Sequence, residues 1–459
     1  MIRRIICLLS LTAIVSYHSA CRKLVQTPLP GDEVSSSAAF ASYANAESAL
    51  MGLYIQIMNN SRGPLNGDAT LYGALSADEL TMRLPNPFLE LFLLNSLNPN
   101  TLYCTSLYTQ SYTLLYTANS LLAGLGAGDS TGEMAELRGE AEVIRALIYF
   151  YLVNFYGPVP LVTSIDYDTT ALLPRAPVAQ VYAQIISDLR DACAHLSATY
   201  ISSSAYPGAR TRPNQAAASA LLARVYLYQG EWAAAEQEAD SVIANPLYRL
   251  QTDLDSVFLA TSAEAIWQLQ PVYDSMATAE GFLFIPVNGA RPAYILTSWL
   301  QDSWEAGDQR RTYWTDSVGA GPLAAVYPYK YKYAFNDPPN AEYNMVVRLA
   351  EVYLIRAEAA AQQGNVGGAA ADLNKIRKRA GLPATGASTP TALLAAILHE
   401  RQVELFSEWG HRWLDLRRTG QADVVLGLEK PGWTGTDTLY PIPGQQMANN
   451  PNLTQNAGY

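Results

Sequence analysis

The stretch VVRLAEVYLIRAEAAAQQGN (residues 346–365), followed by AAADLNKIRKRAGLP (residues 369–383), decides the fold class. Val346, Leu349, Ala350, Tyr353, Ala357 and Ala360 recur at three- and four-residue steps, which places them on one face of a helix. Gly364 stops that helix, because a residue without a side chain accepts the left-handed conformation that closes helix ends. Ala369, Leu373, Ile376 and Ala380 make a second stripe, ended by Gly381 and Pro383. The spacing predicts a helical hairpin whose helices approach closely at the small residues Ala357 and Ala369.

The same signature stands upstream. Leu222, Ala223 and Tyr226 lead into Gly230, followed by Ala235 and Val242. Seven residues separate alanine from glycine in both copies (223 to 230, 357 to 364), and five separate glycine from the next alanine. Such hairpins resemble tetratricopeptide repeats, and two in register predict a mainly α scaffold of stacked helix pairs.

Working outward, Ala39 to Asn59 predicts a first helix, 101–125 and 133–156 a pair, and 178–196 and 214–243 another. Repeat helices thus span about 101–244 and 342–418, with a loop-rich insert at about 245–341 and a few short strands. Within the insert Tyr327, Tyr329, Tyr331, Tyr333 and Phe335 alternate, so one strand face is expected to carry all five rings. Trp299 and Trp304 fall on a helix leading to GDQRR (307–311) and are assigned to packing.

Of the 459 residues, 49% are apolar and 15% charged, which are globular values. A net charge of −11 disfavours nucleic acid as a partner, since phosphate binding needs a basic face. The N-terminus reads as a targeting signal. Arg3 and Arg4 precede an apolar run, Ile5 to Val15, too short to span a bilayer. Ser19-Ala20-Cys21 then resembles a lipobox, with residues 1–20 as lipoprotein signal, Cys21 as the lipidated residue and 21–38 as a tether. Loss of two arginines and no acid with that signal takes the charge from −11 to −13. Cys104 and Cys193 remain, either paired or as buried free thiols.

The C-terminal block resembles the SusD/RagB lipoproteins of nutrient uptake. The resemblance is carried by RLAEVYLIRAEA (348–359), AADLNKIRKRAGL (370–382), ERQVELFSEWGHRWLDLRR (400–418) and LYPIPGQQMANNPNLTQNAGY (439–459). EAEVIRALIYFYLVNFYGPVPLV (140–162), RAPVAQVYAQIISDL (175–189) and RPNQAAASALLARVYLYQGEW (212–232) extend it. Two departures are Trp409, inserted between Glu408 and Gly410, and Gln446 where the family has Glu. The resemblance implies a tetratricopeptide-like superhelix, one domain over 39–459, and a loop-built ligand site. It implies a surface lipoprotein of the outer membrane that binds an oligosaccharide and partners a SusC-like TonB-dependent barrel transporter. Oligopeptide binding of the RagB type is the chief substitute; a lipid-anchored glycoside hydrolase and a structural repeat scaffold are the others. No cofactor or metal is implied.

Catalytic signals are sparse. His195, His399 and His411 are far apart in the sequence, and neither a nucleophile elbow nor a P-loop occurs. Glu400, Arg401, Glu404, Glu408, Arg412 and Asp415 form the densest polar cluster. Carboxylates at 400, 404 and 408 share a helix edge, with Arg401, Arg412 and Arg417 in reach, so they read as structural ion pairs rather than a glycosidase acid and nucleophile. Asp308 and Arg310 take the same reading. Ligand contacts are expected in two loops. Ser76 to Asn98 follows the family's S-D-E segment, and the resemblance there suggests Asp78, Arg83, Phe88 and Asn95. Gln268 to Arg291 offers Tyr273, Phe282 and Arg291.

Overall fold

The computed structural model describes residues 40–59, 61–126, 132–201, 208–273, 275–321 and 324–459. The signal, Cys21 and the tether lie outside the described residues. The chain opens with α1 (Tyr43–Met58) and α2 (Asp68–Ser76), then strand β1 (Leu80–Met82) and the short α3 (Pro87–Leu93). The repeat helices are α4 (Leu102–Leu125), α5 (Glu133–Tyr156), α6 (Val178–His195), α7 (Gln215–Gln229) and α8 (Trp232–Ile243). After the insert come α12 (Leu349–Gln362), α13 (Val366–Arg379), α14 (Pro390–Glu404) and α15 (His411–Arg418), then α16 (Ala422–Glu429).

Local chemistry sets these boundaries. The Asn214 side chain caps α7 by accepting from Ala217 N (3.0 Å), and Thr389 caps α14 with Pro390 at its first position. Gly230 and Gly364 take φ of +74° and +79° at the two predicted hairpin turns. Ala357 and Ala369 are fully buried where α12 and α13 meet. Helices stack in the order α4, α5, α6, α7, α8, and α8 then packs on α12, joining repeats from the two ends of the chain.

The insert holds β2 (Ala265–Leu269), α9 (Ala279–Phe284), β3 (Tyr294–Leu296), α10 (Ser298–Ser303) and α11 (Gln309–Tyr313). The hairpin strands β4 (Thr315–Val318) and β5 (Ala325–Pro328) follow, then β6 (Asn344–Arg348). β2 pairs antiparallel with β6, Ala265 opposite Arg348 and Leu269 opposite Asn344. Val346, expected on the first turn of a helix, is therefore in a strand. The β pairing claims 344–348 and the helix begins at Leu349.

The tyrosine strand is a second correction. β5 ends at Pro328, which has no N–H to extend the ladder. Beyond it Lys330 is drawn inward and donates to the Glu404 carbonyl (2.8 Å). The rings diverge: Tyr327 and Tyr331 are buried and Phe335 is exposed.

Candidate ligand-binding site

The C-terminal cluster is a buried lattice of charge. Glu404 is 0% exposed and bonds Arg348 (2.6 Å), Arg310 (2.9 Å) and Arg379. Glu400 pairs with Arg310 (2.7 Å) and Arg377 (3.3 Å), and Glu408 with Arg348 (2.8 Å) and Lys330. Arg401 binds Asp415 (2.7 Å), and Arg310 binds Asp308 (2.7 Å). Burial pushes the Glu404 carboxyl upward, but Arg379, Arg348 and Arg310 outweigh it and hold Glu404 well below the ordinary carboxylate range. Burial opposes and Arg348 and Lys330 prevail at Glu408, which is likewise lowered. Carboxylates locked in the ionised form supply no proton for glycosidic cleavage.

The partners differ from those expected within the segment. The arginines around Glu400, Glu404 and Glu408 come from α11, β6 and α13, and Arg417 makes no ion pair among the described residues. Burial lowers Arg417 to about 10. Helical spacing fixes which acids share an edge, not which element packs against it.

The lattice positions the loops. α2 docks on the turn after α14, where Thr70 Oγ1 accepts from Trp409 N (2.9 Å) and Glu79 accepts from Ser407 N (3.3 Å). A Cβ added at Gly73 would lie 2.6 Å from the Gly410 Cα, so this approach requires glycine. β1 then leaves α2 and pairs antiparallel with β3, Leu80 opposite Leu296 and Met82 opposite Tyr294.

Two expected contacts belong to this scaffold. Asp78 is buried, with its oxygens bonded to Arg412 (2.7 and 2.6 Å) and Gln402 (3.2 Å). Asn95 is buried too; its Nδ2 donates to the Ser76 carbonyl (3.1 Å) and its Oδ1 faces Lys430 (3.4 Å). Both are spent on protein partners, as buried polar groups are; Asp78 also borders the hollow described below.

The other five lie at the surface. Arg83 N donates to the Ala293 carbonyl (2.9 Å), which brings Arg83 and exposed Arg291 to one end of the β1–β3 ladder. Phe88 is 47% exposed and sits edge-on to Tyr103 (6.0 Å). Exposed Phe282 meets Phe335 (6.5 Å), and the exposed Tyr273 hydroxyl donates to the Asn59 carbonyl.

Beside the ladder, Leu93, Leu94, Thr81, Ser298, Trp299 and Lys430 line a hollow of about 570 Å³. Its charges are built in. Lys430 Nζ donates to the carbonyls of Leu75 (2.8 Å) and Ser76 (2.6 Å), and burial lowers it to about 7. Glu429, also on the wall, is raised to about 8 by burial and by Asp78.

Trp299 is the residue the sequence reading missed. Expected to pack, it is 50% exposed. Thr297 caps α10, and Leu300 and Trp304, four residues apart, take the buried stripe and turn Trp299 outward. That spacing was the available signal. A half-exposed indole beside leucines, with hydroxyls and a carboxyl at the edge, can take the apolar face of a ring and hydrogen-bond its rim.

A helical-repeat scaffold that carries a hollow with a half-exposed indole on its wall defines a class of binding protein, and comparison with known proteins narrows it. Residues 65–227 match the family model described as starch-binding associating with outer membrane, and 310–459 match the model of the SusD family. SusD-like protein P2 of Formosa agariphila is 28% identical over 415 residues, covering 77% of this chain and 80% of that protein. The starch-binding protein SusD of Bacteroides thetaiotaomicron is 38% identical over 120 residues, 24% of this chain and 21% of that one. A SusD superfamily structure from Bacteroides vulgatus superposes with a TM-score of 0.79 at 21% identity, covering 91% of this chain and 99% of that one. A laminarin binding SusD-like protein gives 0.75 at 25% identity, with the same coverage. The chain belongs to the SusD/RagB family. Among the described residues no helix is long and apolar enough to cross a membrane.

Proposed function

We propose that this protein captures a glycan at the Trp299 hollow and passes it to a SusC-like TonB-dependent barrel in the outer membrane. The observation that carries the reading is the exposed indole of Trp299, set among Leu93, Leu94 and the polar edge of Thr81, Ser298 and Glu429. A flat ring loses little entropy on binding and suits the C–H face of a sugar. The starch-binding and laminarin-binding relatives support that ligand class. Cys21 anchors the protein by lipid at the cell surface, and the barrel supplies the second wall of the site.

The hollow is shallow, so affinity without the barrel is about 1 μM to 1 mM. Titration with malto-, laminari- and cello-oligosaccharides of increasing length tests the reading. Affinity is expected to rise over the first few units and then level off. Binding of oligopeptides in place of every glycan overturns the glycan assignment. For the anchor, Cys21→Ala is expected to release the protein from the membrane fraction; retention of the variant there contradicts lipidation.

A further inference from the structure

A second concavity of about 980 Å³ shares no lining residue with the Trp299 hollow. It lies between α1 and the chain segments that follow β2 and precede β6. α1 turns Ala46, Leu50, Leu53 and Ile57 into the core, while the neighbouring stripe of Met51, Ile55 and Met58 borders the groove. Ile55 is exposed.

The opposite wall is a short ladder of side-chain amides. Gln270 Nε2 donates to Asn340 Oδ1 (3.2 Å), and Asn340 N donates to Asn336 Oδ1 (2.7 Å). This leaves the Gln270 carbonyl oxygen and the Asn340 amide protons without protein partners among the described residues. One acceptor and a pair of donors facing an aliphatic stripe match the alternation of hydroxyl edges and C–H faces on a sugar.

Two observations narrow the ligand. Arg212, the cation among the described lining residues, is bonded to Glu140 (2.9 and 3.0 Å) and to Glu47 (2.5 Å), so among the described residues no free cation awaits an acidic group. The β2 edge beside residues 209–212 is already taken, since Gln268 N donates to the Arg210 carbonyl (2.9 Å), so a peptide finds no open ladder there. We propose that this groove is a second saccharide site, for a neutral oligosaccharide held by the Gln270–Asn340 amides against the Met51–Ile55 stripe. The ligand class rests on the glycan reading above; the location does not depend on Trp299.

Calorimetric titration of the full-length protein with maltoheptaose, laminariheptaose and cellohexaose tests it. Two binding events are expected for at least one of these sugars. Gln270→Ala removes a hydrogen-bonding group without touching the core, and Ile55→Trp fills the groove from an exposed position. Each is expected to weaken one event roughly tenfold or more, at unchanged melting temperature, and to spare the event lost in Trp299→Ala. If both groove variants bind every sugar as wild type does, or wild type binds none at ~10 mM, the proposal fails. Gln270-dependent binding of an uncharged oligopeptide and of no sugar overturns the ligand class. Loss of all binding in the groove variants, with Trp299→Ala unaffected, supports the groove and defeats the Trp299 reading instead.

Discussion

Around Glu404 the ionised side chains are buried and spent on neighbours: Arg310, Arg348 and Arg379 converge on one carboxylate from three separate elements. Along the β1–β3 ladder the pattern reverses. Arg83 and Arg291 have no ion-pair partner among the described residues, and Phe88 and Trp299 leave about half of their surface to solvent. The first region is over-determined by its own contacts, so it fixes geometry and has nothing left to offer a ligand. The second anchors itself through the buried Leu80 and Leu296 and leaves Arg291, Phe88 and Trp299 exposed.

The comparison breaks most visibly at Glu404. Glu404→Ala leaves three buried guanidinium groups short of a partner, an expected loss of roughly 3–5 kcal/mol, read by denaturant unfolding. A variant as stable as wild type removes the lattice from the account. Asp78→Ala, at a position first expected to touch ligand, is expected to behave the same way at roughly 3 kcal/mol because it strands Arg412. Normal stability with lost glycan binding at Asp78 would return it to the site.

Acid sharpens the contrast further. The carboxylates lowered in the folded state, Glu404, Glu408 and Glu351 (held at about 2), contribute stability present above about pH 4.5 that is lost as pH falls through their folded values. Glu280 runs the opposite way. Burial raises it to about 7, and Thr70 and Asn344 donate to its oxygens (2.9 Å each). Its stabilisation is present below about pH 4.5 and fades as pH rises through about 7. Glu280→Gln is expected to flatten stability between those values; an unchanged pH profile contradicts the assignment.

The helices were legible because burial repeats with the helical period and glycines mark the turns, as Ala357, Gly364 and Ala369 show. The acid cluster was legible as structural, but its partners were not: Arg310 lies 94 residues from Glu404, a distance that spacing rules do not reach. The site was legible only as a pair of loops. The resemblance offers Asp78 and Asn95 as ligand contacts, but a loop's place in a family does not reveal which way each side chain faces. Trp299 looked like core because a large ring near a helix usually is. The tyrosine alternation was real in sequence, and Pro328 and the pull on Lys330 cancelled it.

At the loop face the effects on folding are small. Trp299→Ala and Arg83→Ala are expected to change stability by no more than about 0.5 kcal/mol. Smallest of all is the effect of reductant: Cys104 and Cys193 are free thiols, so dithiothreitol is expected to leave the melting temperature unchanged. A drop would indicate a disulfide.

The most direct test sets binding against stability at one residue. Wild type and Trp299→Ala are titrated with the same neutral oligosaccharides and unfolded in the same buffer. The account predicts a loss of the Trp299-dependent binding event, weakened roughly tenfold or more, at an unchanged unfolding midpoint. Unchanged binding, or a midpoint that falls along with binding, would place Trp299 in the scaffold and leave the hollow without its platform.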